Sequence, residues 1–129
     1  MSQENVEVVR SIFRGWDRAG VDGMLPFFHE DIEYRPYEEG AAIHGHSALR
    51  RYFDRWMEPW QEFHVEPTEF QHSADSVFNG VKMHGLGRGS GVRTEMESWQ
   101  VWRFDTGKVT RWEEYLDRAE ALEAVGLSE

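Results

Sequence analysis

The chain of 129 residues is long enough for one domain with a substantial hydrophobic core. Its net charge of −10 argues against nucleic acid and anionic membranes as partners, because both would repel it. Cysteine is absent, so disulfides and thiolate chemistry are excluded. The N-terminus lacks the apolar segment of a signal peptide, and no apolar run is long enough to cross a membrane. We therefore expect a cytoplasmic protein with a single domain over residues 1–129.

The first 60 residues are predicted to be mainly helical. Apolar residues recur at helical spacing up to Gly20, and Ser47 is expected to cap a later amphipathic helix. The predicted elements, in chain order, are a helix over 3–19, a short helix over 21–28, a strand in DIEYRP (31–36), a loop over 37–46 and a helix from Ser47.

The second half changes to the period-two pattern of β-strands. Strands are predicted over 64–72, 76–88, 93–104 and 108–116, followed by a helix over 118–125 with Gly126 just past its end. Helices followed by consecutive antiparallel strands indicate an α+β fold. A strongly curved, mainly antiparallel sheet covered by three N-terminal helices would form a cone that encloses a pocket.

The order of elements and three segments resemble the SnoaL-like, polyketide cyclase-like branch of the nuclear transport factor 2-like superfamily. The segments are AGVDGMLPFFHEDIEYRP, IHGHSALRRYF and VWRFDTGKVTRWEEYLD, and the resemblance covers essentially the whole chain. It implies the cone-shaped fold, a cystatin-like α+β barrel. Members of this superfamily include isomerases, epoxide hydrolases, cyclases and proteins without a known reaction, so the fold alone does not specify the chemistry.

Two adjacent glutamates in VTRWEEYLD are the first candidates for chemistry. Alternation places Glu114 on the more apolar face with Trp112 and Leu116, and Glu113 on the other face. The resemblance places Glu114 where the limonene-type epoxide hydrolase has a catalytic aspartate. An aromatic pocket would raise the pKa of Glu114 above about 4.3 and suit it to proton transfer. A structural role, with Glu114 bonded to neighbouring polar groups, is the alternative.

Further candidates follow from the same resemblance. Gln100 falls where the ketosteroid isomerase has its oxyanion-hole aspartic acid, and it could polarise a substrate or simply bond to Glu114. Arg35 replaces the base of that isomerase, and either Arg35 or Tyr34 faces the pocket. Asn79 stands on the strand that supplies the Arg-x-Asp pair of the hydrolase. Steroid isomerisation by the usual residues is therefore not expected, and the hydrolase mechanism is only weakly supported.

Aromatic residues spread over all predicted elements are the stronger indication of a binding site. The expected lining for a ligand consists of Phe13, Trp16, Tyr34, Phe53, Trp56, Asn79, Met83, Trp102 and Trp112. No cofactor is expected. His44 and His46 lack a third ligand, so no metal is expected either.

Two functions remain open from the sequence. The first is a cofactor-independent acid/base enzyme of the cyclase, isomerase or hydrolase type acting on a small hydrophobic molecule, and the second is a non-catalytic ligand-binding or dimeric module. A homodimer is expected through the outer sheet face, which carries aromatic residues and charges of both signs. The residues of this face are Arg93, Glu95, Glu97, Trp99, Val101, Arg111, Glu113 and Tyr115.

Overall fold

A computed structural model describes residues 2–37 and 41–127 of the chain. It has the predicted α+β architecture, in which three helices and a 3₁₀ turn pack on a curved six-stranded sheet. The elements are α1 (Ser2–Ala19), α2 (Val21–Met24), a 3₁₀ turn (Leu25–Phe27), β1 (Phe28–Arg35), β2 (Ile43–His44), α3 (Gly45–Met57), β3 (Trp60–Ser73), β4 (Ser76–Gly87), β5 (Arg93–Asp105), β6 (Lys108–Tyr115) and α4 (Arg118–Ala124).

The sheet has the strand order β2-β1-β6-β5-β4-β3. Consecutive strands from β3 to β6 pair antiparallel, and the one parallel pairing among the described strands joins β1 to β6. Helices α1, α2 and α3 lie over one face of the sheet, where the main hydrophobic core forms. Burial of apolar side chains from both layers, at about 25 cal/mol per Å², is what holds helices and sheet together.

Two local expectations in the first half need correction. Ser47 does not cap α3, because His44 is still extended in β2 and the helix begins directly at Gly45, whose φ is +83°. The predicted loop also contains β2, which pairs with β1 through Tyr34 and Ile43. Two-residue strands leave no periodicity in a sequence, which explains why this one was not predicted. Residues 38–40 of that loop lie outside the described part.

The closing helix α4 packs on the outer face of the sheet, where it forms a second apolar cluster with Phe78 and Val101. Asp117 caps it by accepting a hydrogen bond from the Ala119 amide at 3.0 Å. At its end Gly126 has the predicted position, with φ of +76°, and the Leu127 amide donates to Leu122 O at 2.9 Å. This is a Schellman motif, which needs a left-handed residue and therefore favours glycine.

Because α4 covers part of the outer face, that face is less open than the sequence suggests. Val101 is 0% exposed and Glu113 only 9%. Leu116, expected to point inward with Trp112, follows the end of β6 and is 54% exposed. Within the described residues, no helix combines the length and the apolar character needed to span a membrane.

Candidate functional site

A cavity of about 450 Å³ lies between the inner face of the sheet and helices α1 and α3. Its wall is mostly aromatic and aliphatic, and the charged groups that the described residues contribute to it are the Glu114 carboxylate and the Arg55 guanidinium. Of the residues predicted to line it, it contains Phe13, Trp16, Tyr34, Phe53, Trp56, Met83, Trp102 and Trp112, together with Gln100 and Glu114. A volume of this size accommodates a small organic molecule.

Strand register explains why these side chains meet. Tyr34 of β1 pairs with Trp112 of β6, which pairs with Trp102 of β5, so the three rings form one row on the inner face. Two residues along the strands, Glu114 pairs with Gln100 and forms the next row. Since side chains on one strand face recur every second residue, the aromatic row and the polar row must lie side by side.

The aromatic row is a stacked, rigid wall. The rings of Trp102 and Trp112 lie 4.7 Å apart at an angle of 9°, and those of Trp112 and Tyr34 lie 4.1 Å apart at 27°. Phe53 of α3 continues this arrangement, stacked at 5.9 Å from Trp112. Such ring pairs contribute about 0.5–1.5 kcal/mol each beyond their burial, so the wall is well ordered.

Glu114 is half-buried at the edge of this wall. The Tyr34 hydroxyl donates to its Oε1 at 3.4 Å, and the Gln100 amide donates to its Oε2 at 3.5 Å. Both contacts are at the long end of the hydrogen-bond range. Tyr34 and Gln100 are therefore placed to orient the carboxylate.

Two polar atoms beside Glu114 have unused hydrogen-bonding capacity. Gln100 Oε1 and Trp112 Nε1 are buried and have no hydrogen-bond partner within residues 2–37 and 41–127. Buried polar groups normally have a partner, and leaving one without costs about 1–3 kcal/mol. Unsatisfied groups next to a cavity are typical of a binding site rather than of a core.

A family model for the SnoaL-like domain matches residues 9–112. The chain belongs to the SnoaL-like family. A search of curated protein sequences gives no significant match.

Solved structures share the fold of this SnoaL-like domain. An NTF2-like protein of unknown function from Burkholderia pseudomallei is 22% identical with a TM-score of 0.79, and the alignment covers 98% of this chain and 99% of that one. A Jannaschia protein named as a SnoaL-like polyketide cyclase is 16% identical with a TM-score of 0.81, covering 100% and 96%. A Mycobacterium tuberculosis protein in complex with estradiol-17beta-hemisuccinate is 19% identical with a TM-score of 0.76, covering 92% and 96%.

Arg35 does not line the cavity of this SnoaL-like domain. Tyr34 is the inward residue of the pair, and Arg35 lies on the outer face, where its guanidinium pairs with Glu33. A β-bulge between Phe28 and Glu33 shifts the register of β1, which is why alternation alone left the choice open. Arg35 is therefore not placed to polarise a substrate in this cavity, contrary to the expectation.

Asn79 is also placed differently from the expectation. It is 0% exposed and lies behind the wall, where its Oδ1 accepts a hydrogen bond from Trp102 Nε1 at 2.6 Å. Its amide donates to Gly80 O at 2.8 Å, so both ends of the side chain are occupied. Asn79 is not among the residues that line the cavity, and it holds Trp102 in place.

The residues that form the mouth of the cavity were not predicted from the sequence. Lining residues become exposed where α3 passes into β3, at Arg55 and Pro59, while Trp60 there is half-buried. The Trp60 ring lies against Gly85, where a Cβ atom would come within 2.4 Å of it. Arg88, from the β4–β5 hairpin, donates to Trp60 O at 2.9 Å and fixes this corner. Helical spacing from Tyr52 is the feature of the sequence that could have identified Arg55.

His46, in the first turn of α3, has a structural role. His46 Nε2 lies 3.2 Å from the carbonyl oxygens of both Phe28 and His29, which ties the helix to β1. Across the described ranges, no group of three or more side chains of the metal-binding types is arranged to hold an ion.

Proposed function

We propose that this SnoaL-like domain binds a small hydrophobic molecule in the aromatic cavity and that Glu114 transfers a proton on it without a cofactor. The observation that carries the proposal is the position of the Glu114 carboxylate, in the wall of a mostly apolar cavity and in contact with Tyr34 and Gln100. A carboxylate held in this way is suited to general acid/base catalysis.

The groups beside Glu114 indicate which types of reaction the site could support. When Glu114 accepts a proton from a carbon or oxygen of the substrate, negative charge develops on that substrate. The Tyr34 hydroxyl and the Gln100 amide lie on the two sides of the carboxylate and can donate to this charge. Enolisation, ring closure or isomerisation of an aromatic or polycyclic carbonyl compound are the reactions that this set supports best.

A structural neighbour supports the choice of ligand class. The Mycobacterium tuberculosis protein of the same fold forms a complex with estradiol-17beta-hemisuccinate, a molecule with a large apolar body. The aromatic wall of this chain, with three stacked rings of Tyr34, Trp112 and Trp102, offers similar planar surfaces. A polycyclic or aromatic ligand is accordingly part of the proposal.

Ligand binding without catalysis is the second candidate. It is favoured by the residues that differ from those of the characterised enzymes of the superfamily, since Arg35 faces away from the cavity and Asn79 is fully occupied by Trp102 and Gly80. Both candidate functions place the ligand in the same cavity. They differ only in whether the function requires the carboxylate of Glu114.

A simple aromatic probe separates the two candidates. In 5-nitrobenzisoxazole a base removes the proton from carbon 3 while the nitrogen–oxygen bond breaks, which gives a coloured cyanophenolate. If Glu114 is the base, Glu114→Gln should lower kcat/KM for this reaction by roughly 10²–10⁴-fold, because the amide keeps the shape and removes the basicity. Glu30→Gln, an exposed change in β1 outside the cavity wall, serves as the matched control and should leave the rate unchanged.

The cavity can be tested in the same assay with N-phenyl-1-naphthylamine, a neutral apolar molecule. It should inhibit the reaction competitively and bind equally well to the wild type and to Glu114→Gln. A Glu114→Gln variant that keeps its rate within a few-fold of the wild type, but still binds the naphthylamine, would leave the non-catalytic candidate in place.

A further inference from the structure

The cavity carries a second charged group that the proposed proton transfer does not use. Arg55 lies in the last turn of α3, is exposed and lines the cavity at its mouth. Its guanidinium has no hydrogen bond or ion pair to any other residue of 2–37 and 41–127. Several other arginines of the chain are engaged, such as Arg50 with Asp22 at 2.7 Å and Arg103 with Glu113 at 3.0 Å.

Acidic residues outnumber basic ones by 24 to 14, yet Arg55 at the cavity mouth pairs with no acidic side chain of the described residues. Glu58, the C-cap residue just past the end of α3, follows Arg55 by three residues and is exposed, yet no ion pair forms between the two. The guanidinium therefore retains its donors for another acceptor. Five N–H donors in a planar fork match the geometry of a carboxylate or similar oxyanion.

The two charged lining residues of the described part make the electrostatic potential at the mouth of the cavity differ from that beside Gln100. Glu114 stands in the polar row beside Gln100, and Arg55 stands at the exposed mouth. An anionic group of a ligand is repelled by the first and attracted by the second. A ligand with an acidic end will thus enter with its apolar body inward and its anion at the mouth.

We propose that Arg55 makes the cavity selective for amphipathic acids, that is, aromatic or polycyclic molecules with one carboxylate or comparable oxyanion at the end opposite to the reacting group. This inference deepens the proposed function and rests on it. Arg55 acts as a specificity determinant that orients the substrate toward Glu114, and it takes no part in the proton transfer itself.

Two fluorescent probes that differ in a single anionic group test the inference. 1-Anilinonaphthalene-8-sulfonate carries a sulfonate, and N-phenyl-1-naphthylamine is the same molecule without it. Titrations of the full chain with each probe should show Arg55→Gln weakening the anionic probe about fivefold, as expected for a half-solvated charge-assisted pair. Arg55→Glu should weaken it at least tenfold, and the neutral probe should bind both variants within about twofold of the wild type.

The matched control is Arg51→Glu. Arg51 is exposed, lies one turn earlier on α3 and does not line the cavity, so its reversal changes the net charge equally. Arg51→Glu should change the affinity for neither probe by more than about twofold.

If Arg51→Glu and Arg55→Glu weaken binding of the anionic probe to the same extent, or if neither does, the inference is wrong. If Arg55→Glu weakens both probes alike, Arg55 supports the shape of the mouth and does not select charge. If the wild type binds neither probe, the proposed cavity function fails first, and the inference fails with it.

Discussion

At the scale of single residues, the adjacent glutamates show how alternation along one strand produces two environments. Glu114 lies in the cavity wall between the donors Tyr34 and Gln100. Glu113, on the other face, accepts from Arg103 at 3.0 Å and lies 3.9 Å from Arg111. The sequence predicted the correct side for each glutamate, but it did not predict that Glu113 is buried, because that depends on α4 and on ion pairs between strands.

Asn79 gives a prediction at the same scale. Asn79→Ala should lower the free energy of unfolding by about 2 kcal/mol, because it leaves the buried Trp102 Nε1 without its acceptor. Chemical denaturation measures this directly. Binding of N-phenyl-1-naphthylamine to the folded variant should remain within a few-fold of the wild type. A large loss of affinity without a loss of stability would instead make Asn79 a ligand contact.

At the scale of helices and strands, most of the fold follows from periodicity. The strands β4, β5 and β6 begin within one residue of their predicted starts, since alternation is regular there. β3 begins at Trp60, four residues before its predicted start, because Trp60 pairs with Gly87, a tertiary contact that has no local pattern. A bulge in β1 likewise determines that Tyr34, and not Arg35, points into the cavity. The position of Arg55 at the mouth depends on how α3 meets β3, which is also a tertiary contact.

The crossing of α1 and α2 gives a prediction for these elements. Gly15 and Gly23 face each other so closely that a Cβ on Gly23 would come within 1.9 Å of Gly15 O. Backbone atoms cannot move aside as a flexible side chain can, so Gly23→Ala must separate the two helices. We expect a loss of about 3 kcal/mol or more in the free energy of unfolding, at the upper end of what overpacking costs.

The control for this prediction is Gly20→Ala. Gly20 has φ of +63°, and no atom lies within 4 Å of the position that a Cβ would take there. Only backbone strain of about 1–2 kcal/mol is therefore expected from this substitution. If Gly20→Ala and Gly23→Ala lose the same free energy of unfolding in denaturant titrations, the close approach of α1 and α2 does not explain the effect of Gly23→Ala.

At the scale of the whole molecule, stability should depend on acid-sensitive ion pairs. Hydrogen bonds from Arg118 lower the pKa of Glu69 from its ordinary value of 4.5. A carboxylate with a lowered folded-state pKa stabilises the protein above its unfolded pKa, and this contribution is lost as the pH falls through the folded value. Glu69→Gln should therefore lower the melting temperature at pH 7 by an amount that corresponds to less than about 1 kcal/mol.

The difference in melting temperature between Glu69→Gln and the wild type should shrink as the pH falls from 7 through the folded-state pKa of Glu69, because the wild-type carboxylate then loses its charge. Glu30→Gln is exposed and should have little effect on melting over this pH range. A difference between Glu69→Gln and the wild type that does not change as the pH falls would contradict the role of the Arg118 pair.

Assembly is the second prediction at this scale. α4 occupies the outer face around Val101, so we propose that a homodimer forms through the remaining part, around Trp99 and Glu97. The mixture of an aromatic ring with charges of both signs is typical of moderately polar interfaces. Light scattering at micromolar concentration should give twice the chain mass of 15.2 kDa. A mass of one chain would contradict the dimer.

The most direct test of the central claim, that the aromatic cavity beside Glu114 is the functional site, is a crystal structure with N-phenyl-1-naphthylamine. We expect the naphthalene ring inside the cavity, packed against Trp112 and Phe53, in the part of the cavity whose wall includes Glu114. A cavity that stays without the probe, while the probe binds at the outer face or not at all, would contradict the account.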